Sequence, residues 1–346
     1  MTAPGPLVVV FLRGGMDGLS MLRPPGDELD RIRGPLALSA TAALGVGGGD
    51  GWALHPAMSR LAARAAGGHV AFVPACGHPD VDRSHFAAQF VVERCGPVDA
   101  TTGFLGRALA ASNGTGPLRG VSIGQPQVPA MLRGADAVIA ATDLGDLALR
   151  TRFGVTVSSM SELWAHDAGR LGASATAALH ALEATGALAA TTARTPADAL
   201  VATFRAGVGC EVGVLNSSNW DHHNEIGIAD GSFATLAAEL DATIETLLVG
   251  IPGATVLVLS EFGRRVAAND SGGFDHGRGG LVMVAGDRVR GGVHGDWPGL
   301  GALDAGDVRA VNDLRVVVAE VAERVLGVDA DRVAPGAPAT RLGIVT

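Results

Sequence analysis

Residues that can bind a metal ion lie in three short segments of the sequence, each next to an apolar run. Asp221 and His223 follow one run, Glu261 ends a second, and His276 precedes a third. The spacing Asp-x-His can place both end groups on one side of an extended backbone. Imidazole nitrogens and carboxylate oxygens are ligands of zinc and manganese, and magnesium is an option where nitrogens are few. These segments favour a divalent metal site over the alternative, a solvated surface loop.

A serine and a histidine stand where a helical pattern begins. The pattern starts at Ser84 and continues through Glu93, which places Ser84 near the N-cap. Ser84 is either a helix cap, the commoner use of serine there, or a nucleophile whose developing charge is eased by the helix N-terminus and a nearby metal. His85 is a base, a metal ligand or a packed neighbour.

One further carboxylate and three arginines complete the set of candidates. Asp17 follows the first apolar run among glycines, which fits either a metal ligand or a turn aspartate. Arg13, Arg264 and Arg278 lie beside the same apolar runs and offer guanidinium groups for an anion, although each also fits an ordinary surface charge. A small anionic substrate is therefore expected.

Short buried strands must position these residues. Runs rich in Val and Leu, bounded by polar segments and alternating with helical patterns, predict a parallel or mixed α/β sheet. Because ligands bind at the carboxyl ends of strands in open α/β sheets, the polar segments are expected to converge there. The predicted strands are Leu7–Leu12, Val70–Pro74, Glu211–Leu215, Val256–Leu259 and Leu281–Ala285.

Composition narrows the class of protein. A length of 346 residues allows two domains or one large domain, and we expect a single domain over 1–346 with a helical insertion at about 159–208. The net charge of −9 disfavours nucleic acid as a partner. The sequence has no lysine and no tyrosine, which excludes a Walker-A lysine, a Schiff-base lysine and a tyrosine acid.

Targeting signals are weak. No apolar run approaches the roughly 18 residues of a membrane span, so no membrane association is expected. The apolar run from Pro6 to Leu12 lacks a basic segment before it and is interpreted as the first strand rather than a signal peptide. The three cysteines are widely spaced and odd in number, which fits a reducing cytoplasm better than a disulfide scaffold.

Seven motifs in order resemble one protein family. They are FLRGGMDGLSML, LHPAM, RSHF, WDxH, SEFGRR, FDHG and GDWPGL, and together they span almost the whole chain. This pattern is similar to that of domain-of-unknown-function family 1501 (DUF1501), within the alkaline-phosphatase-like superfamily. The resemblance implies a three-layer α/β/α sandwich with a mostly parallel central sheet. It also implies a metal-dependent hydrolase or transferase that acts on a phosphate or sulfate ester.

Residue roles follow from the resemblance by position. Ser84 matches the nucleophile, and Asp17 and Glu261 match carboxylates of one metal. Phe262 stands where the superfamily places a histidine, which removes a nitrogen ligand and makes a second metal doubtful. Asp221, His223 and His276 match the other metal, with His222 as an alternative to His223. The predicted catalytic residues are Ser84, His85, Arg13 and Arg264, and the predicted metal ligands are Asp17, Asp221, His223, Glu261 and His276.

A second hypothesis is a protein that has the same fold but does not catalyse hydrolysis. Phe262 at a ligand position is the feature that supports a non-hydrolytic metal-binding or pathway-partner protein on the same fold, because a fold does not entail a function. Neither hypothesis specifies the substrate beyond its negative charge or the oligomeric state.

Overall fold

A nine-stranded mixed sheet forms the centre of the protein. The computed structural model describes residues 4–147, 155–186, 188 and 191–346. A second sheet, of three short strands, lies outside the main one. The strands are β1 (Leu7–Leu12), β2 (Leu22–Arg23), β3 (Leu44–Gly45), β4 (Ala53–Leu54), β5 (Val70–Gly77), β6 (Gly120–Ile123), β7 (Val138–Ala141), β8 (Val212–Ser217), β9 (Thr255–Ser260), β10 (Gly280–Ala285), β11 (Gly292–Val293) and β12 (Asn312–Asp313).

The order of strands in the main sheet is β11-β5-β10-β9-β1-β8-β6-β7, and β12 also pairs with β5. All pairs are parallel except those of β10, which runs antiparallel to β5 and β9. In the central register, Leu7 of β1 lies between Val212 and Thr255. The predicted α/β class and the mostly parallel central sheet are thus confirmed.

The sheet is apolar on both faces because helices cover both. Along β1, Val8, Val10 and Leu12 join one core cluster, whereas the alternate residues from Leu7 to Phe11 join the other. Helices α3, α8 and α9 pack in the first cluster, and α4, α5 and α10 in the second. The helices are α1 (Gly18–Met21), α2 (Glu28–Arg33), α3 (Ser59–Ala66), α4 (His85–Arg94), α5 (Phe104–Ala111), α6 (Val157–Trp164), α7 (Arg170–Thr185), α8 (Pro196–Arg205), α9 (Ser232–Gly250), α10 (Leu314–Val321) and α11 (Ala330–Val333).

The segment predicted as a helical insertion contains three of these helices. Helices α6 and α7 contact each other, whereas α8 packs on β6 and α9 as part of the sandwich. Positions 187, 189 and 190 of this segment lie outside the described residues. In the part of the chain that the structure describes, none of the helices has the length and apolar content needed to cross a bilayer.

The strand directions bring five loops to one edge of the sheet. Strands β8 and β9 flank β1 in parallel, so the loops after these three strands leave at the same edge. Strand β5 has the direction of β9, since both are antiparallel to β10. The loop after β5 and the loop before β10 therefore lie at this edge as well. Every predicted site residue is carried by one of these loops or by α4, the helix that follows β5.

Candidate metal centre

Three histidines surround the carboxylate of Asp221. The Nε2 atoms of His223 and His276 lie 3.1 and 3.3 Å from Asp221 Oδ1 and 2.8 Å from each other. His85 approaches from the other side, with Nε2 at 3.3 Å from Asp221 Oδ2. The ligand atoms of His85, Asp221 and His276 all lie within 4.8 Å of one another, which is close enough to share one metal ion.

The outward hydrogen bonds of two of these rings fix where their lone pairs point. The Nδ1 atom of His85 lies 2.8 Å from Glu261 Oε1, and that of His276 lies 2.7 Å from the carbonyl oxygen of Arg83. A carboxylate or carbonyl oxygen accepts only, so each Nδ1 carries a proton, and in the neutral ring Nε2 is the nitrogen with the lone pair. Both lone pairs are thus directed toward Asp221, the arrangement typical of metal-binding histidines.

These lone pairs lack donors. His85 Nε2 is buried and has no hydrogen-bond partner among the described residues. His276 Nε2 faces a carboxylate oxygen of Asp221 and the Nε2 atom of His223. Burial, the largest effect, and the nearby Arg264 guanidinium lower the pKa of His276, so its ring is neutral at neutral pH. Hydrogen-bond acceptors that converge without a hydrogen-bond donor repel one another unless a cation lies between them. Imidazole nitrogens and a carboxylate oxygen are ligand atoms that suit a metal ion.

The carboxylate of Glu261 lies behind His85 and is saturated by protein donors. Its Oε1 accepts from the backbone N–H of Gly14 at 2.8 Å and from Gln89 Nε2 at 3.0 Å, and its Oε2 accepts from Ser260 Oγ at 3.1 Å. Burial opposes ionisation, but the hydrogen bonds from Gln89, His85 and Gly14 outweigh it and lower the pKa of Glu261. Glu261 therefore orients His85 as a charged acceptor.

Arg264 is buried at the base of the cluster. Its Nε donates to the carbonyl oxygen of Gly15 at 2.6 Å and its Nη1 to that of Phe274 at 2.8 Å, while Nη2 donates to Asp221 Oδ1 and to the carbonyl oxygen of Gly14. Burial raises the pKa of Asp221, but the hydrogen bond from Arg264 outweighs burial and the net shift is downward. With these donors engaged and the side chain only 2% exposed, Arg264 holds Asp221 rather than extending toward a substrate.

Arg13 contacts the cluster indirectly, through Gln89 and Glu261. Its guanidinium donates to Asn216 Oδ1 at 2.9 Å and to Gln89 Oε1 at 3.1 Å, and it forms a 2.6 Å ion pair with Glu93. Because Gln89 in turn donates to Glu261, Arg13 fixes the orientation of the Gln89 amide. The structure thus gives Arg13 a positioning role through Gln89, in contrast to the predicted contact with an anion.

Asp17 is paired with an arginine instead of facing the histidines. Both of its carboxylate oxygens accept from Arg33, at 2.6 and 3.0 Å, and Ser20 Oγ also donates to it. Burial opposes ionisation, but the charge and hydrogen bonds of Arg33 lower the pKa of Asp17. Asp17 joins no group of three potential ligands in the described part of the chain. The structure does not bring this predicted ligand into the cluster.

Ser84 stands at the N-cap of α4, and its hydroxyl is unused. The side chain makes no capping hydrogen bond, and only the backbone N–H of Ser84 is bonded, to Asp82 Oδ1 at 2.8 Å. The side chain is exposed, and both neighbours in the chain contact the cluster, Arg83 through its carbonyl oxygen and His85 through its ring. The capping role considered from the sequence is therefore absent.

The structure also distinguishes between the two adjacent histidines. His222 is 6% exposed, and its Nε2 lies 3.0 Å from Ser232 Oγ, away from Asp221. His223 is the one in the cluster. Phe262, where the resemblance led us to expect a histidine, is buried with its ring 4.9 Å from that of His85 and 4.8 Å from that of His276, so it packs behind two of the candidate ligands.

Sequence reasoning missed three residues that hold the site. Gln89 lies four residues after His85 on the same face of α4, a spacing that was visible in the sequence. Asp275 lies next to His276 and 3.4 Å from His223 Nδ1, and its carboxylate was an available signal too. Arg33 gave no signal, because its pairing with Asp17 depends on how α2 folds back over the loop after β1.

Comparison with known proteins identifies a family and no activity. The family described as "Protein of unknown function (DUF1501)" matches residues 6–338. No curated protein matches the chain.

The pairing of Asp17 with Arg33 predicts a large stability effect. Replacing either partner, as in Asp17→Asn or Arg33→Met, leaves a buried group uncompensated and is expected to lower the free energy of unfolding by about 3–5 kcal/mol. Arg31→Met is the matched control on the same helix, since its pair with Asp27 is exposed (68% and 80%); it is expected to cost under about 1 kcal/mol. Urea denaturation measures the free energy of unfolding of each variant. Equal losses for Arg31→Met and Arg33→Met would contradict a buried, mutually compensating pair of Asp17 and Arg33.

Proposed function

We propose that this chain, a member of the DUF1501 family, binds one divalent metal ion and hydrolyses a phosphate or sulfate ester, or transfers the phosphoryl or sulfuryl group. The observation that carries the proposal is the convergence of three histidine Nε2 atoms on Asp221, with no donor from the described residues to the Nε2 atoms of His85 and His276; Arg264 donates to Asp221 Oδ1 and lies 3.5 Å from His223 Nε2. In a folded protein such a set of acceptors is stable when a cation binds among them.

The proposed ligands are His85, His223, His276 and Asp221. The ligand atoms of His85, Asp221 and His276 lie within 4.8 Å of one another. His223 Nε2 lies outside this group but is 3.1 Å from Asp221 Oδ1 and 2.8 Å from His276 Nε2, close to the spacing of about 3.3 Å between ligand atoms in a tetrahedral zinc site with bonds of about 2.0 Å. Three nitrogens and one oxygen favour zinc or manganese over magnesium. When bound, such an ion polarises an ester oxygen.

A second metal is not part of the proposal. Its two predicted carboxylates are already compensated by protein donors: Asp17 by Arg33 and Ser20, and Glu261 by Gly14 and Gln89. A further dication would have to compete with the Arg33 guanidinium for Asp17 and with the donors to Oε1 for Glu261. The charged side chain nearest to Asp221 is instead the guanidinium of Arg264.

Ser84 is the proposed nucleophile. Its Oγ forms a bond to phosphorus or sulfur as the bond to the ester oxygen breaks, and the hydroxyl proton passes to that oxygen, which leaves as the alcohol. Water or a second alcohol then attacks the bound group, and its proton returns to Ser84 Oγ. The position suits this role because the hydroxyl is exposed, makes no hydrogen bond within the described residues and lies at the N-terminus of α4, where backbone N–H groups favour an anion.

One observation favours the non-hydrolytic alternative. In the described part of the chain, Ser84 Oγ is not hydrogen-bonded to a base, and Arg13 and Arg264 are engaged by protein acceptors. A protein that binds the metal for structure or for a partner in a pathway needs the histidine cluster but not Ser84. Replacing Ser84 therefore distinguishes the two functions, because only the hydrolytic one requires its hydroxyl.

Elemental analysis of the purified, unchelated protein tests metal binding. We expect about one equivalent of zinc or manganese, lost in His223→Ala and His276→Ala because each removes one ligand. His222→Ala is the matched control, since it removes the adjacent histidine that faces Ser232. A parent protein without metal after reconstitution, or equal loss in the His222 and His223 variants, would exclude the centre.

Turnover of aryl phosphates and aryl sulfates tests the nucleophile. We expect Ser84→Ala to lower kcat on the order of 10³-fold or more, as removal of a nucleophile does in other hydrolases. Because Ser84 makes no capping hydrogen bond, the same variant is expected to keep its stability within about 0.5 kcal/mol and to retain its metal.

The outcomes of this test differ for the two functions. Full activity of Ser84→Ala would exclude serine as the nucleophile. A metal-loaded parent that turns over none of the esters would favour the non-hydrolytic alternative.

A further inference from the structure

A cavity is lined by segments that continue into the candidate metal centre. Its volume is about 320 Å³, and His78, Val81, Arg278, Asp304 and Arg309 are among the residues that line it. This volume is at the lower end of the range of about 300–1,000 Å³ for small-molecule sites. Val81 lies three residues before Ser84 and Arg278 two residues after His276, so two segments that line the cavity continue directly into the candidate site.

His78 lines the cavity and carries a buried donor that no described protein group accepts from. His78 is 3% exposed, and burial lowers its pKa, so the ring is neutral at neutral pH. Its Nδ1 accepts from the backbone N–H of Asp80 at 3.2 Å, which leaves the proton on Nε2. That Nε2 is buried and has no hydrogen-bond partner in the described part of the chain. This donor is therefore available to an oxygen atom of a ligand that reaches it.

Two arginines give the cavity a positive charge, although the chain as a whole carries −9. A hydrogen bond from Gly279 N to Val308 O, of 3.0 Å, holds Arg278 and Arg309 on neighbouring segments. Asp304 also lines the cavity, but it lies 3.8 Å from Arg278 and compensates that residue alone. Arg309 has no ion-pair or hydrogen-bond partner for its guanidinium among residues 4–147, 155–186, 188 and 191–346.

We propose that this cavity binds an oxyanion, a phosphate, sulfate or carboxylate group that the substrate carries in addition to its ester. Arg278 and Arg309 supply charge-assisted hydrogen bonds, and His78 Nε2 donates a third from the buried wall. The anion site itself stands on these residues alone, whereas its assignment to the substrate rests on the proposed function.

Calorimetric titration with inorganic phosphate tests the anion site. To separate it from the metal centre, the titration is made in the His276→Ala variant as well as in the parent. We expect phosphate to bind to both, and Arg309→Met or Arg278→Met in either background to weaken binding by about tenfold or more, the loss typical of a charge-assisted hydrogen bond. Arg332→Met, which removes an exposed charge on α11, is the control and should leave the affinity unchanged.

Two further variants sharpen the test. His78→Phe keeps the ring and removes the donor, so it should weaken phosphate binding. Asp304→Asn removes the competing carboxylate and should tighten it, and an unchanged or weaker affinity would count against the site. Phosphate binding that survives both arginine variants, or that disappears with His276→Ala alone, would overturn the proposal.

The assignment to the substrate has its own measurement. Arg309→Met should raise KM for esters with a second anionic group and leave KM for simple aryl esters unchanged, with kcat unaffected in both. Equal KM changes for the two ester classes would overturn the substrate assignment. A protein that hydrolyses no ester but loses phosphate affinity in Arg309→Met would overturn the proposed function and leave the anion site in place.

Discussion

The buried guanidinium of Arg264 is the interaction on which the site depends. Strand directions bring five loops to one sheet edge, but they fix no loop relative to another. Arg264 follows β9 and donates to carbonyl oxygens of the loop after β1 (Gly14 and Gly15), to Asp221 after β8 and to Phe274 before β10. The planar guanidinium offers five donors in a fixed geometry, so one side chain sets the mutual position of four loops.

Close packing around this guanidinium requires glycine in the loop after β1. Gly14 and Gly15 have φ values of +121° and +69°, and a Cβ at either would overlap the backbone at Trp220 and Asp221 or the ring of Phe262. Without side chains at these positions, the loop approaches both the Asp221 segment and the aromatic ring behind His85 and His276. The glycines thus give the arginine access to the carbonyl oxygens that it needs.

The sequence predicted the parts of the protein that follow from local pattern. The strand from Val256 to Leu259 is confirmed within one residue at each end, and the Asp221, His223 and His276 segments meet at the sheet edge as expected from strand direction. Contacts between side chains that are distant in sequence leave no local pattern in the sequence and were therefore not predicted. The pairing of Asp17 with Arg33 depends on the path of α2, and the capping role considered for Ser84 depends on a rotamer.

Two buried arginines also determine which metal-binding groups at this sheet edge have a partner within the protein and which do not. Arg33 compensates the buried carboxylate of Asp17 and Arg264 compensates the exposed carboxylate of Asp221, each through short hydrogen bonds, so both carboxylates stay ionised without a further cation. The histidines receive less compensation. Arg264 Nη1 lies 3.5 Å from His223 Nε2, whereas the Nε2 atoms of His85 and His276 have no arginine donor among the described residues, and the Nδ1 atoms of these two rings are already engaged. A metal bound as we propose would therefore supply the histidine nitrogens with the partner that they lack. The carboxylates of Asp17 and Asp221 already have arginine partners and do not need the metal for folding.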